Sequence, residues 1–144
     1  MDGSIFIALS GRLVASKSAS EASDRTAVSR AYYGSFHVAR AFLSELGFAP
    51  LRNANVHAFV CKCLYESGHP DARIAARELG DLQSARNRAD YQLDDTEAGS
   101  RGYAILNVER AHRVVSALNG CQEENSRDTI RHGITEYVQK IQPR

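Results

Sequence analysis

The chain has no Trp, one Met, three Cys and three Pro among 144 residues, and each scarcity excludes something. Three cysteines, Cys61, Cys63 and Cys121, are an odd number, and a C-x-C pair fits neither a disulfide framework nor a four-ligand zinc site. Residues two apart on a helix point to different faces, so Cys61 and Cys63 are poor co-ligands. Reduced thiols, and with them a cytoplasmic location, are the expectation. No uncharged run approaches the length of a membrane span. The opening Met1-Asp2-Gly3-Ser4 carries an acid where a secretory signal needs positive charge. Excess charge of one sign is also missing: the net charge is +1. A bulk electrostatic pull towards nucleic acid or anionic lipid is therefore excluded, and any RNA-binding surface must be local. Lysine is scarce as well, with 3 Lys beside 15 Arg. Arg suits bidentate phosphate contacts, although codon bias produces the same skew.

What is present is helical periodicity. Period-2 alternation is nearly absent, whereas apolar residues recur at spacings of three and four. Ile5, Leu9 and Leu13 predict a first helix. Ser23 or Asp24 is the expected cap of a second, with Val28, Tyr32, Phe36, Ala39, Leu43 and Leu46 inward, stopped by Gly47 and Pro50. A third carries Val56, Val60, Cys63 and Leu64 and stops at Gly68-His69-Pro70. Asp71 is the expected cap of a fourth, with Ile74, Ala75, Leu79, Leu82, Ala85 and Ala89 inward. Gln92 to Glu97 reads as a loop with Thr96 as a cap. A fifth helix presents Ile105, Val108, Ala111, Val115 and Leu118 and ends at Asn119-Gly120. The expected architecture is an all-α bundle of four to five helices over residues 1–120. Residues 121–128 read as a polar linker to an extra amphipathic C-terminal helix with Ile130, Ile134, Tyr137, Val138 and Ile141. That tail is expected to be dispensable for the core fold.

Polar chemistry intrudes at two places. Arg30, Tyr33, His37 and Arg40 fall on one strip of the second helix beside its core face. Such a rim offers phosphate binding and proton transfer together, while the plainer reading on spacing alone is an amphipathic boundary of snorkelling side chains. On the fourth helix Arg86 lies at the edge of the apolar stripe, with Asp90 one turn later. A charge at such a margin needs a partner or a function. An Arg86–Asp90 ion pair satisfies the first. A phosphate site oriented by Asn87, Asp90 and Tyr91 satisfies the second.

The stretch Ser29-Arg30-Ala31-Tyr32-Tyr33-Gly34-Ser35-Phe36-His37-Val38-Ala39-Arg40 resembles the S-R-x-Y-Y-x-x-F-H-x-A-R motif of stand-alone prokaryotic proteins of the HEPN family. Arg86-Asn87-Arg88-Ala89-Asp90-Tyr91 resembles their R-x-x-A-D-Y element. The resemblance covers roughly residues 1–119. It implies a HEPN-like helical bundle whose homodimer brings the motifs of both protomers to one cleft. It further implies metal-independent cleavage of RNA, or a toxin held by a small nucleotidyltransferase antitoxin, with no cofactor. The wider family's catalytic element places four to six residues between its Arg and a His. Here Tyr91 stands at such a position, and a phenol with a pKa near 10 is a weak base at neutral pH. Arg30–His37, Arg52–His57 and Arg127–His132 are the other Arg–His pairs of suitable spacing, and His37, inside the first motif, is the expected acid–base group. Arg86, His37, Asp90 and Tyr91 are thus the expected catalytic set, and Asn87, Arg30, Tyr33 and Arg40 the expected RNA-phosphate set. The alternative is a non-catalytic HEPN module that binds RNA, a nucleotide or a nucleotidyltransferase through the same residues.

Overall fold

Six helices are built from these stripes: α1 (Ser4–Ala15), α2 (Glu21–Glu45), α3 (Val56–Tyr65), α4 (Pro70–Tyr91), α5 (Arg101–Asn119) and α6 (Glu124–Ile141). The structure, a computed structural model, describes residues 2–49 and 55–141; there is no strand among them, and the fold is an all-α bundle. Pro50 and Arg52 lie outside the described residues.

The helix starts are set by local hydrogen bonds. Ser20 caps α2, one turn ahead of the expected Ser23 or Asp24: its side chain accepts from Ser23 N while Ser23 Oγ accepts from Ser20 N. Asp24 is instead buried, its Oδ1 3.8 Å from Arg101 Nε. His69, rather than Asp71, caps α4: Asp71 N donates to His69 Nδ1 at 3.1 Å, and Pro70 takes the first helical position. Ser100, rather than Thr96, caps α5 by accepting from Tyr103 N. Gly47 ends α2 as expected, at φ +96°, a conformation that residues with a Cβ rarely adopt.

Helix α2 is the axis of the bundle, packing against α1, α3, α4 and α5. The main core takes Phe42, Leu43 and Leu46 from α2, Val60, Cys63 and Leu64 from α3, and Leu79 and Leu82 from α4. Val114 and Leu118 of α5 join it. A second, smaller cluster is mostly alanine: Ala27 and Val28 of α2, Ala85 and Ala89 of α4, and Ala104 of α5. Small residues let the first half of α2 approach the last half of α4 closely. That approach brings the two polar motifs together.

The structure differs from the periodicity reading in three respects. Helix α1 is rotated: Ile7 and Ser10 are buried, while Ile5 is 52% exposed. The cause is backbone contact, because Gly3 and Gly34 meet without side chains between them and turn Ile7 towards α2. On α4 and α5, Ile74 and Ile105 face outward, and alanines beside them, with Asn107, take the inner positions. Asn107 is satisfied there, donating to Tyr103 O at 2.9 Å and accepting from Arg110 at 3.0 Å.

The third difference is the C-terminal segment. Helix α6 begins at Glu124, so the linker is shorter than 121–128, and Cys121 within it is fully buried. Ile130 and Ile134 are also fully buried and belong to the main core. Gly133 lies against the backbone of Ser67, and His69 Nε2 is 3.1 Å from Ser126 Oγ. The tail is packed into the bundle, not appended to it.

Candidate functional site

The last two turns of α4 and the first half of α2 form one polar cluster around Arg86. Its Nη2 donates to Tyr33 Oη at 2.7 Å and its Nη1 to Asn87 Oδ1 at 3.2 Å. Its Nε lies 3.0 Å from Asp90 Oδ2, a charge contact without hydrogen-bond alignment. Ser29 Oγ donates to the same Asp90 oxygen at 3.3 Å. Three rings surround the guanidinium carbon, with centroids at 5.2 Å for Tyr33, 5.5 Å for Tyr91 and 5.8 Å for Tyr32. Burial disfavours the charge on Arg86, but Tyr33, Tyr91 and Asp90 together outweigh it and its pKa is raised. The cluster therefore keeps a fixed cation in contact with solvent. Tyr91 is 71% exposed and Leu93 70%, so the cluster opens on an uncovered apolar surface.

Arg30 is the second cation. Its guanidinium sits 4.7 Å from the Tyr33 ring centroid and 5.7 Å from Phe6. Among the described residues its one hydrogen bond is to Ser29 Oγ, and no carboxylate pairs with it.

His37 and Arg40 are one and two turns further along α2, outside the Arg86 cluster. Both line a groove of about 670 Å³ between the end of α2, the start of α1 and the end of α5. The His37 ring meets Phe36 at 5.5 Å and Phe6 at 6.4 Å. Partial burial and the charge of Arg40 lower its pKa, so the imidazole is in its neutral form at neutral pH. Of the expected residues, Arg86, Asn87, Asp90, Tyr91, Tyr33 and Arg30 are brought together, while His37 and Arg40 are not in direct contact with Arg86.

The periodicity reading missed three contributors. Tyr32, assigned to the core, turns its hydroxyl to His57 Nδ1 at 2.9 Å, and His57 Nε2 is 3.4 Å from Cys61 Sγ. Burial pushes the Tyr32 phenol up to about 12 and the Cys61 thiol to about 11, and it lowers the pKa of His57. All three groups are therefore neutral at neutral pH. The signal available in sequence was that a buried Tyr hydroxyl requires a polar partner. Arg25 was missed as well. Only 7% exposed, it donates to the carbonyls of Ala89 at 2.9 Å, Gln92 at 3.2 Å, Leu93 at 3.3 Å and Asp95 at 2.8 Å. It caps the C-terminal end of α4 and so fixes the turn that carries Asp90 and Tyr91. Arg88 supports the same loop through Asp95 at 2.7 Å and Glu97 at 3.2 Å.

The other Arg–His spacings come to little. Arg52 lies outside the described residues. Arg127 and His132 sit on α6, each beside its own carboxylate, Glu45 at 4.0 Å and Glu136 at 3.3 Å.

No three of the described His, Cys, Asp and Glu side chains converge in a way that would hold a metal ion. No described helix is long and apolar enough to cross a membrane. Comparison of the chain with protein-family models, with curated proteins and with solved structures gave no match.

Proposed function

We propose that the Arg86 cluster binds RNA phosphate and that the protein is a HEPN-type, metal-independent endoribonuclease or toxin acting as a homodimer. The observation that carries this reading is the Arg86 guanidinium itself: a fixed cation held by Tyr33 Oη at 2.7 Å and ringed by three tyrosines at an opening to solvent. Arg86 holds the scissile phosphate and stabilises the charge that develops on it. Asn87, Asp90 and Tyr91 orient that guanidinium. His37, brought to that phosphate across the dimer cleft, takes the proton from the ribose 2′-OH, which attacks the adjacent phosphorus; the P–O5′ bond breaks, the departing 5′ oxygen takes a proton back from the imidazolium, and a 2′,3′-cyclic phosphate is left. A second copy meeting this one over the exposed Tyr91 and Leu93 would place two Arg86 clusters in one cleft. A small nucleotidyltransferase is the antitoxin that the motif resemblance implies.

The test is incubation of the pure protein with a defined RNA in EDTA, beside Arg86→Ala and His37→Ala. Cleavage to a 2′,3′-cyclic end, slowed on the order of a hundredfold or more in each variant, supports the reading. A need for Mg²⁺, or full activity in both variants, overturns it. One observation favours a second reading, a non-catalytic module that binds RNA, a nucleotide or a nucleotidyltransferase. No histidine of the protomer touches Arg86, and His57, the imidazole beneath Tyr32, has both ring nitrogens engaged. Binding without cleavage decides for that module.

A further inference from the structure

We propose that the face of α2 from Arg30 to Arg40 is a track for a few successive nucleotides of single-stranded RNA, running from the Arg86 cluster into the His37–Arg40 groove. The inference rests on the RNA reading above and adds the form of the ligand and the path it takes.

The support for it is the spacing and pairing of charge. Arg30 and Arg40 are ten residues apart, about 15 Å along a helix axis, and Tyr33 and His37 lie between them on the same strip. A mononucleotide does not span that length, whereas a short oligonucleotide does. Arg40 has no hydrogen bond or ion pair with any described residue, and Arg30 has no carboxylate partner. A structural surface arginine is free to take a carboxylate, as Arg113 takes Glu78 at 3.0 Å. Two unpaired arginines on one strip present donors that phosphates can use.

Aromatic rings alternate with these cations. Phe6 lies between Arg30 at 5.7 Å and His37 at 6.4 Å, and Tyr33 stands under Arg30. Alternating cations and aromatic faces follow a single strand, whose bases are free to stack. Paired bases in a duplex have no such freedom.

The groove at the far end is the right sort of terminus. It holds His37, Arg40 and Ser44, with Asn119 and Gln122 from the end of α5 and beyond. Its two acids are already engaged: Asp2 accepts from Ser4 N at 2.9 Å, and Glu45 faces Arg127 at 4.0 Å. The groove thus sets the donors of Arg40, Asn119 and Gln122 beside two engaged carboxylates.

The experiment is a ladder of 2′-O-methyl oligouridylates, one to six nucleotides long, titrated onto the intact protein by calorimetry in EDTA at low salt. The 2′-O-methyl group blocks attack by the 2′ oxygen, so binding is read without cleavage. Affinity should tighten on the order of tenfold or more from one nucleotide to three or four, then level off. Arg40→Ala should remove most of that gain and should reduce the salt slope for the hexamer by about 0.7. Arg86→Ala should weaken every rung. A duplex of matched length should bind more weakly than the single strand.

Affinity that does not depend on length, or a ladder unchanged by Arg40→Ala, overturns the track and leaves the Arg86 reading standing. Failure of every oligonucleotide to bind overturns both. Arg40 is exposed enough for its variant to fold, and circular dichroism of that variant keeps the comparison interpretable.

Discussion

Arg86 and Asp90 are legible from spacing alone, because i and i+4 on a helix always meet. Their setting is not. Tyr33, Ser29 and Tyr32 reach Arg86 and Asp90 across the α2–α4 contact, and nothing in a single sequence fixes which turn of one helix faces which turn of the other. The motif resemblance joined the two segments, yet it could not place His37, which the structure puts in a neighbouring groove. Arg25 was the least legible residue, since apart from Glu21 one turn away its partners are backbone carbonyls more than sixty positions away. Those carbonyls give it a measurable role. Arg25→Ala should destabilise the protein by about 1–3 kcal/mol, because the buried Ala89 carbonyl and several part-buried ones lose their donor at once. Arg25→Lys should restore only part, since an ammonium cannot fork to four carbonyls. Urea unfolding measures the loss, and amide exchange over residues 92–95 localises it. A Lys variant of full stability would show that charge alone, without the fork, holds the loop.

Element by element, all six helices are legible as helices, but their rotation about their own axes is not. Periodicity weighs large side chains, so it turned Ile5, Ile74 and Ile105 inward. The structure gives those inner positions to small residues where backbones approach. Gly34 is the sharpest instance: an added Cβ would lie 2.6 Å from Ile7 Cγ1 and 2.7 Å from Gly3 O. Gly34→Ala must push α1 off α2 and should cost about 1–3 kcal/mol as overpacking. Gly80→Ala is the control on α4. Its Cβ meets nothing within 4 Å, and the better helix former should stabilise by about 0.5–1 kcal/mol. Thermal unfolding of the pair should move in opposite directions. The apolar face of helix α6 is thin, but it closes over α3 with two isoleucines fully buried. Truncation after Gly120 removes both, at about 1.5–3 kcal/mol each, and should lower the urea midpoint sharply or leave the chain unfolded. A truncated protein as stable as the full chain would show that α6 is separable after all.

For the molecule as a whole, association and pH are the two handles on stability. If two copies meet over Tyr91 and Leu93, the unfolding temperature must rise with protein concentration, and Leu93→Asp should abolish that dependence without touching the monomer core. A temperature independent of concentration, with a monomer in sedimentation at tens of micromolar, removes the dimer from the proposed function. The pH dependence follows from burial. Cys61 and Cys121 are pushed up to about 11, Cys63 to about 12, and Tyr32 to about 12, each chiefly by burial. In the unfolded chain these groups lose protons near 9.0 for the thiols and 10.0 for the phenol. Above those values the unfolded state binds fewer protons than the folded one, so stability falls as pH rises. The contribution is complete below about pH 9 and is lost progressively towards pH 12. Urea midpoints should therefore be level from pH 7.5 to 8.5 and then decline, each group adding up to about 1.4 kcal/mol per pH unit to the slope. The histidines act at the other end. His37 and His57 have lowered pKa values, so their contribution is present above 6.5 and is lost as pH falls through the depressed values. Replacing Cys61 and Cys63 together by Ala should make the alkaline limb less steep, with Tyr32 and Cys121 keeping the remainder. An alkaline limb equally steep in that double variant would mean that Cys61 and Cys63 contribute nothing to it, and would overturn their assignment as buried, protonated thiols.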